Sequence, residues 1–237
     1  MTDFLPAPAA LPAGQRIYAI GDIHGCVDRL VAMHEAIAED MDERPCDDVT
    51  LVHLGDYIDR GTDSAQVVDW LLAGPPVPAS RIVNLMGNHE DMMLAALDGT
   101  PEAASQWLAN GGADSLMSWG IPRSVAPAEW GARIPEHHQA FLRTLDLRLM
   151  VPPYLFVHAG IRPGLPLQRQ TKQDMLWIRE PFLSSGADHG FVVVHGHTPK
   201  REPIVLRNRI AIDTGAVLGG ALTCAVLEED RLGFIQT

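Results

Sequence analysis

Arg16-Ile17-Tyr18-Ala19-Ile20-Gly21-Asp22-Ile23-His24-Gly25 begins as a short apolar run and breaks at a Gly-Asp pair. The same pattern returns three times. Leu54 is followed by Gly55-Asp56, Met86 by Gly87-Asn88 and His195 by Gly196-His197, while the run Tyr154-Leu155-Phe156-Val157 ends directly in His158. Short runs rich in Ile, Val, Leu and Tyr predict β-strands, here over 16–20, 50–54, 82–86 and 154–157. Between the first of them, Leu30, Met33, His34, Ile37 and Met41 recur at spacings of three and four and predict an amphipathic helix. Further helices are predicted near 63–72, with Asp63 or Ser64 as its cap, and over about 90–97. Alternation of strand and helix builds a layered α/β sheet, whose ligands sit in the crevice beyond the strand ends. The terminal residues Asp22, Asp56, Asn88, His158 and His197 should therefore converge. His24 joins them because residues i and i+2 of an extended loop point the same way.

The length of 237 residues suits one elaborated domain. Thirty acidic against eighteen basic residues leave a net charge of -12, which argues against a duplex nucleic-acid binder, whose phosphates need a basic face. Cys26, Cys46 and Cys224 form an odd set without C-x-x-C spacing, so neither a disulfide framework nor a thiolate zinc cage is indicated. No apolar run approaches the ~18 residues of a membrane span, and the N-terminus lacks the basic and apolar segments of a secretory signal. A soluble protein of the reducing cytoplasm, with no membrane partner, is the expectation. Residues 1–14, rich in Pro and Ala, read as a loose tail, and 15–237 as the domain. Residues 99–135 read as an irregular helical insert near the site, followed by a helix over 136–145. Strands are predicted again over 191–194, 204–206, 210–212, 221–227 and 232–235.

Asp22, His24, Asp56, Asn88, His158 and His197 offer two carboxylates, one amide oxygen and three imidazoles. That is too many donors for one tetrahedral zinc with an open position, and it suits two divalent first-row metals sharing Asp56. Paired metals stabilise both the attacking and leaving oxygens of an in-line displacement and acidify bound water, so phosphate ester hydrolysis is the natural reaction. Gly55-Asp56 alone would be ordinary turn chemistry. Five strand ends carrying such donors are not, because buried carboxylates without cations cost several kcal/mol on the order-of-magnitude scale of uncompensated charges.

These residues resemble the metal-dependent phosphoprotein phosphatases, especially the bacterial and bacteriophage-lambda type. The successive signatures are Gly21-Asp22-Ile23-His24-Gly25, Gly55-Asp56-Tyr57-Ile58-Asp59-Arg60-Gly61, Gly87-Asn88-His89-Glu90, His158-Ala159-Gly160 and His195-Gly196-His197-Thr198. Trp107-Leu108-Ala109-Asn110-Gly111-Gly112, Leu176-Trp177-Ile178-Arg179 and Ile212-Asp213-Thr214-Gly215-Ala216-Val217 extend the likeness. The resemblance implies a calcineurin-like metallophosphoesterase fold: one α/β domain, a four-layer α/β/β/α sandwich of two mixed sheets. It implies one metal on Asp22, His24 and Asp56 and a second on Asp56, Asn88, His158 and His197, most commonly manganese, with iron and zinc also used. It implies that Arg60 and Arg179, with Asn88, bind the substrate phosphate, that His89 protonates the leaving oxygen, and that Asp59 orients His89. Hydrolysis would follow direct attack of a hydroxide held between the metals, on a phosphorylated protein or peptide.

The last signature has Thr198-Pro199 where nuclease-like relatives carry a further histidine. Symmetrical dinucleoside tetraphosphatases are a competing reading, but typically lack the counterpart of Asp59 and have aspartate in place of Glu90. A phospho-binding protein without activity would need a broken site, and no ligand or acid is missing. Of the remaining histidines, His34 reads as core, His53 and His195 as packed or bracing the ligands, and His137, His138 and His189 as surface. Asp213 either braces a ligand histidine or caps the turn at Gly215. Trp107, Trp119 and Trp177 read as packing anchors.

Overall fold

The computed structural model describes residues 4–237. The chain enters as an edge strand, β1 (Phe4–Pro6), and continues through β2 (Gln15–Ile20), α1 (Val27–Glu43), β3 (Asp48–His53), α2 (Ser64–Ala73), β4 (Arg81–Asn84) and α3 (Asn88–Leu97). Four short helices follow: α4 (Pro101–Trp107), α5 (Ala113–Ser118), α6 (Trp130–Arg133) and α7 (Glu136–Arg143). The second half comprises β5 (Arg148–Val151), β6 (Tyr154–Val157), α8 (Lys172–Trp177), β7 (Val192–His195), β8 (Ile204–Val205), β9 (Arg209–Ala211), β10 (Thr223–Glu228) and β11 (Arg231–Gln236).

Two mixed sheets result, with strand orders β1-β11-β10-β2-β3-β4 and β5-β6-β7-β9-β8. Strands β2, β3 and β4 run parallel in the first, and β6, β7 and β9 in the second. The period of two along each strand decides the layering. Ile17 and Ala19 face the second sheet, meeting Val52, Phe156, Val194 and Ile210 in a dry middle layer. Their neighbours Tyr18 and Ile20 turn the other way, onto Leu30, Met33 and Ile37 of α1 and Val67 and Val68 of α2. On the far face of the second sheet, Leu155, Val157 and Val193 pack on Met175 of α8 and on Phe182. Helix, sheet, sheet and helix thus form the four layers, and the parallel strands of both sheets end at one edge.

The loose tail expected over 1–14 is corrected for its described part. Phe4, Leu5 and Pro6 pair with Gly233, Leu232 and Arg231 of β11. The N–H groups of Ala7 and Leu11 donate to the carbonyls of Asp230 and Glu229, and Leu11 is buried in the middle layer. The segment covers what would be an open sheet edge, and the Phe4 ring takes the guanidiniums of Arg44 and Arg231 at 4.7 and 5.1 Å. Residues 1–3 lie outside the described residues. Strand β4 ends at Asn84 rather than at residue 86, Leu85 bridging to Asp146 instead. Strand β5 and helix α8 are additions to the expected elements. Asp63 stands at the N-cap of α2, where its carboxylate takes the Thr62 hydroxyl rather than a helix N–H. Among the described residues no helix is long and apolar enough to cross a membrane.

A buried relay joins the first helical layer to the sheet. Trp70 Nε1–H donates to His34 Nδ1 at 2.8 Å, which leaves the His34 proton on Nε2, 2.9 Å from His53 Nε2; His53 Nδ1–H then donates to Asn84 Oδ1 at 2.8 Å. Both rings are therefore neutral with fixed tautomers, and a proton added to His53 would set one N–H against another. Burial pushes the pKa of His53 down to about 4; burial, then His53, pushes that of His34 down to about 3. In the unfolded chain both return to ~6.5. As pH falls below ~6.5, the unfolded chain binds protons that the folded one refuses, so stability drops by up to about 1.4 kcal/mol per pH unit for each histidine. Urea midpoints measured from pH 7 to 5 should fall, and a His34→Gln/His53→Gln variant should show a shallower slope. An identical slope would contradict the relay.

Candidate metal centre

Every donor picked out at a strand end stands at the shared edge of the two sheets. Asp22 and His24 follow β2, Asp56 follows β3, Asn88 opens α3 after β4, His158 follows β6, and His197 follows β7. The backbone there is unusual. Six non-glycine residues among those described have positive φ, and five of them belong to this edge: His24 (46°), Asp56 (52°), Asp59 (73°), Arg60 (67°) and His197 (65°). Such conformations cost on the order of 1–3 kcal/mol each and persist where surrounding contacts dictate them. The Asp56 carbonyl, for example, accepts the N–H groups of both Ile23 and His24, at 3.1 and 2.8 Å. Close approach explains Gly196: a Cβ there would overlap Oδ1 of Asp22, whose two oxygens accept the His197 N–H at 3.1 and 3.0 Å.

Two donor sets share Asp56. His24, Asp56 and His89 lie on one side and Asp56, His158 and His197 on the other, the ligand atoms of each set falling within 4.8 Å of one another. The two oxygens of Asp56 divide between them, Oδ2 lying 3.4 Å from His24 Nε2 and Oδ1 3.4 Å from His158 Nε2.

The tautomers show that these residues fit cations. His24 Nδ1–H donates to the Ile58 carbonyl at 2.8 Å and His158 Nδ1–H to the Leu54 carbonyl at 3.0 Å. Each arrangement turns Nε2 toward the site, the nitrogen with which a metal-binding imidazole would ligate once any proton on it is displaced. His158 Nε2 then faces Asn88 Oδ1 at 2.9 Å, and His197 Nδ1 lies 2.8 Å from the same oxygen. With no cation present a proton on His158 Nε2, favoured by Asp56, fills the bond to Asn88 Oδ1, and a cation would take that proton's place. Burial, reinforced by the Asp213 carboxylate, also pushes the pKa of Asp22 well above the usual range, a surplus of negative charge that a cation would relieve.

The calcineurin-like phosphoesterase family model matches residues 15–220, the span that contains all six donors. This chain belongs to the calcineurin-like phosphoesterases. It is 32% identical over 234 residues to serine/threonine-protein phosphatase 1 of Salmonella typhimurium, covering 90% of this chain and 93% of the relative. It is 28% identical over 232 residues to an asymmetrical bis(5'-nucleosyl)-tetraphosphatase of Anoxybacillus flavithermus, covering 86% and 87%. A solved structure described as a putative diadenosine tetraphosphatase superposes with a TM-score of 0.65 at 21% identity, covering 98% of this chain and 97% of that one. Members of this phosphoesterase family work through a dinuclear metal centre, and the donors described above are arranged to hold one.

Within this phosphoesterase site the charges interlock. Burial disfavours a charged His158, but Asp56 outweighs it and pushes the pKa up to about 9. Asp56 is held well below the carboxylate range: burial acts against the charge, and His158 and His89 more than offset it. His24 is driven down to about 4 by burial, and His197 to about 3 by burial and then by His158. His89 is the exception among the smaller shifts. Burial lowers its pKa, yet Asp56 and the Asp59 carboxylate, 2.7 Å from Nδ1, raise it overall. Its Nε2 is buried without a partner, 4.0 Å from Asp56 Oδ2. Asp59 accepts the His89 Nδ1–H, and His89 Nε2 is left facing the donors; burial raises the pKa of Asp59, against the opposing pull of His89, Ser115 and Trp107.

The two arginines singled out from the sequence are both exposed. Arg60 Nη1 donates to His24 Nε2 at 2.9 Å, and Arg179 is near enough to His197 to lower its proton affinity. Arg60 thus touches one donor set, and Arg179 lies within electrostatic reach of the other. Asp213 caps its turn, Oδ1 accepting the Gly215 N–H at 3.0 Å. His195 is packed against Phe182 at 5.0 Å, its Nδ1–H donating to the Gly196 carbonyl. His138, expected at the surface, is buried: Trp119 Nε1–H donates to its Nδ1 at 2.9 Å and Nε2 bonds to Asp69 at 2.8 Å. With His137 these residues form a third donor cluster, but the indole N–H keeps the His138 proton on Nε2, the wrong tautomer for a metal.

Three residues have parts here that the sequence did not assign to them. Glu90 accepts four backbone N–H groups, from Gly87, Asp56, Tyr57 and Ile58 at 2.9, 2.9, 2.8 and 3.3 Å, and so ties the Asp56 loop to the start of α3. Its place three residues after Gly87, at the helix start, was the available signal. Trp107 and Ser115, both buried, reach Asp59 from α4 and α5. A cleft of about 210 Å³, lined by Asp91, Met92, Ala95, Gln106 and Trp177 among others, meets the site only through Trp177, whose ring lies 6.3 Å from that of His197; none of the donors lines it. The larger cavity, about 570 Å³, includes Pro153, Phe191, Val192 and Asn208 at the opposite ends of the strands, and contains none of the donors.

Proposed function

We propose that this phosphoesterase is a serine/threonine protein phosphatase that hydrolyses phosphomonoesters, with manganese as its native metal and iron or zinc as alternatives. The observation that carries the reading is the Asp59–His89 pair, whose unpartnered Nε2 faces the donor cluster. Serine and threonine alkoxides are poor leaving groups, so a proton donor at this point is what their phosphoesters need. Asp22, His24 and Asp56 would hold one cation and Asp56, Asn88, His158 and His197 the other. Bound there, two divalent ions supply Lewis acidity toward phosphoryl oxygens and a water of lowered pKa. Arg60 and Arg179 grip the phosphate through paired N–H donors, a match guanidinium makes better than ammonium, and Asn88 adds its amide.

The 32% identity to a serine/threonine phosphatase supports this substrate class. A second reading, cleavage of dinucleoside tetraphosphates, is favoured by the relatives at 28% and lower identity. The chain's net charge of -12 suits neither duplex nucleic acid nor an anionic membrane as partner. The three free cysteines suit the cytoplasm. The test is a panel of phosphoserine peptide, phosphotyrosine peptide and dinucleoside tetraphosphate, each supplied with manganese. Preferred turnover of the phosphoserine peptide is expected. Preference for the dinucleotide would replace the reading with the second one, and turnover of none by metal-loaded protein would leave a phospho-binding module.

A further inference from the structure

The segment Trp107-Leu108-Ala109-Asn110-Gly111-Gly112 and the start of α5 have no assigned part in the chemistry above. Their contacts converge on one residue. The carboxylate of Asp59, fully buried, gives Oδ2 to His89 Nδ1–H at 2.7 Å. Trp107 Nε1–H forks to both of its oxygens, at 3.0 and 2.9 Å, and the Ser115 hydroxyl donates to Oδ1 at 2.6 Å. The Asp59 N–H is shared by the hydroxyl oxygens of Ser115 and Ser64, at 2.8 and 3.1 Å. Asp59 and Arg60 are consecutive left-handed residues, and the π-helical turn Leu108–Gly112 lies against them. Gly111, at φ 106°, approaches so closely that a Cβ would fall 2.8 Å from Arg60 Cγ, and its carbonyl accepts the Arg60 N–H.

We infer that the segment from Trp107 to Ser115 is a positioning clamp: the indole N–H and the Ser115 hydroxyl fix the Asp59 carboxylate so that it aims the His89 Nε2 proton at the leaving oxygen. The inference rests on His89 as proton donor. In that step the oxygen of water bonds to phosphorus and releases one proton to solvent. The bond from phosphorus to the alkyl oxygen breaks, its electron pair stays on that oxygen, and the oxygen takes the Nε2 proton. Neutral His89 remains, its Nδ1–H still on Asp59. A core anchor would need only the Trp107 ring, which also meets Trp130 edge to face at 5.5 Å. The clamp needs the N–H.

Trp107→Phe keeps an aromatic ring but removes the N–H together with part of the indole, so Ser115→Ala, which removes only a hydroxyl, is tested beside it and carries the test if the first variant does not fold. Turnover is compared on a phosphoserine peptide, whose alkyl oxygen needs a proton, and on p-nitrophenyl phosphate, whose aryl oxygen leaves as a stable anion. Either substitution should cost on the order of 10- to 100-fold on the peptide, part of the ~10²–10⁴ that a general acid supplies, and no more than about 3-fold on the aryl ester. The peptide loss should vanish in an Asp59→Asn background. Independently of catalysis, the downfield proton NMR signal of His89 Nδ1–H, identified by its absence in His89→Asn, should broaden in both variants. Equal losses on the two esters, a further peptide loss beside Asp59→Asn, or an unchanged signal would overturn the clamp. If His89→Asn itself loses equally on both esters, the proton-donor assignment falls and the clamp falls with it. A selective loss there beside a uniform loss in Trp107→Phe overturns the clamp alone.

Discussion

His89→Asn is expected to lower turnover of a phosphoserine peptide by roughly 10²–10⁴-fold while two metal ions per chain are retained, the range a positioned general acid contributes. Asparagine keeps a polar group of similar reach and its backbone N–H still meets Asp56 Oδ1, at 3.1 Å in the native chain. What it loses is the Nε2 atom and the proton it would deliver, whereas its amide nitrogen stands where Nδ1 stood, 2.7 Å from Asp59 in the native chain. His89 also lies within reach of His24 and Asp56, an alternative place for a ligand. Metal analysis separates the two roles. Loss of one ion in His89→Asn would make His89 a ligand, whereas full occupancy with depressed turnover makes it the acid.

Asp56→Asn should have the larger effect on the site, because the two oxygens of Asp56 serve different donor sets. The substitution removes the negative charge that both His24 and His158 face at 3.4 Å. It leaves the loop's anchorage to Glu90, which is made through backbone N–H groups. Elemental analysis after dialysis against manganese should fall from two ions per chain to fewer than one, with the unfolding transition of the metal-free protein preserved and turnover at least as low as in His89→Asn. Two ions retained would contradict the shared carboxylate.

The α/β layering of two mixed sheets was legible in the sequence, and so was the placing of the donors at strand ends. Donors at strand ends are a local signal: Gly21-Asp22 after β2 or Gly87-Asn88 before α3 announces both the end of a strand and the group placed there. The parts that were not legible depend on distant partners. Phe4–Pro6 carries no strand pattern of its own and becomes one because β11 offers an edge. His138 lies on a polar stretch of α7 and is buried because Trp119 and Asp69 arrive from α5's end and α2. Trp107 is the packing anchor its isolated aromatic ring suggests, with no exposed surface. Its second task follows from the rule that a buried indole N–H finds an acceptor, but the identity of that acceptor, Asp59, is a fact of tertiary structure.

The central claim, that one carboxylate at the end of β3 joins two cation sites, is tested most directly by anomalous scattering from a crystal grown with manganese. Two peaks are predicted, flanking Asp56, one among Asp22 and His24 and the other among Asn88, His158 and His197. A single peak, or peaks lying away from Asp56, would contradict it.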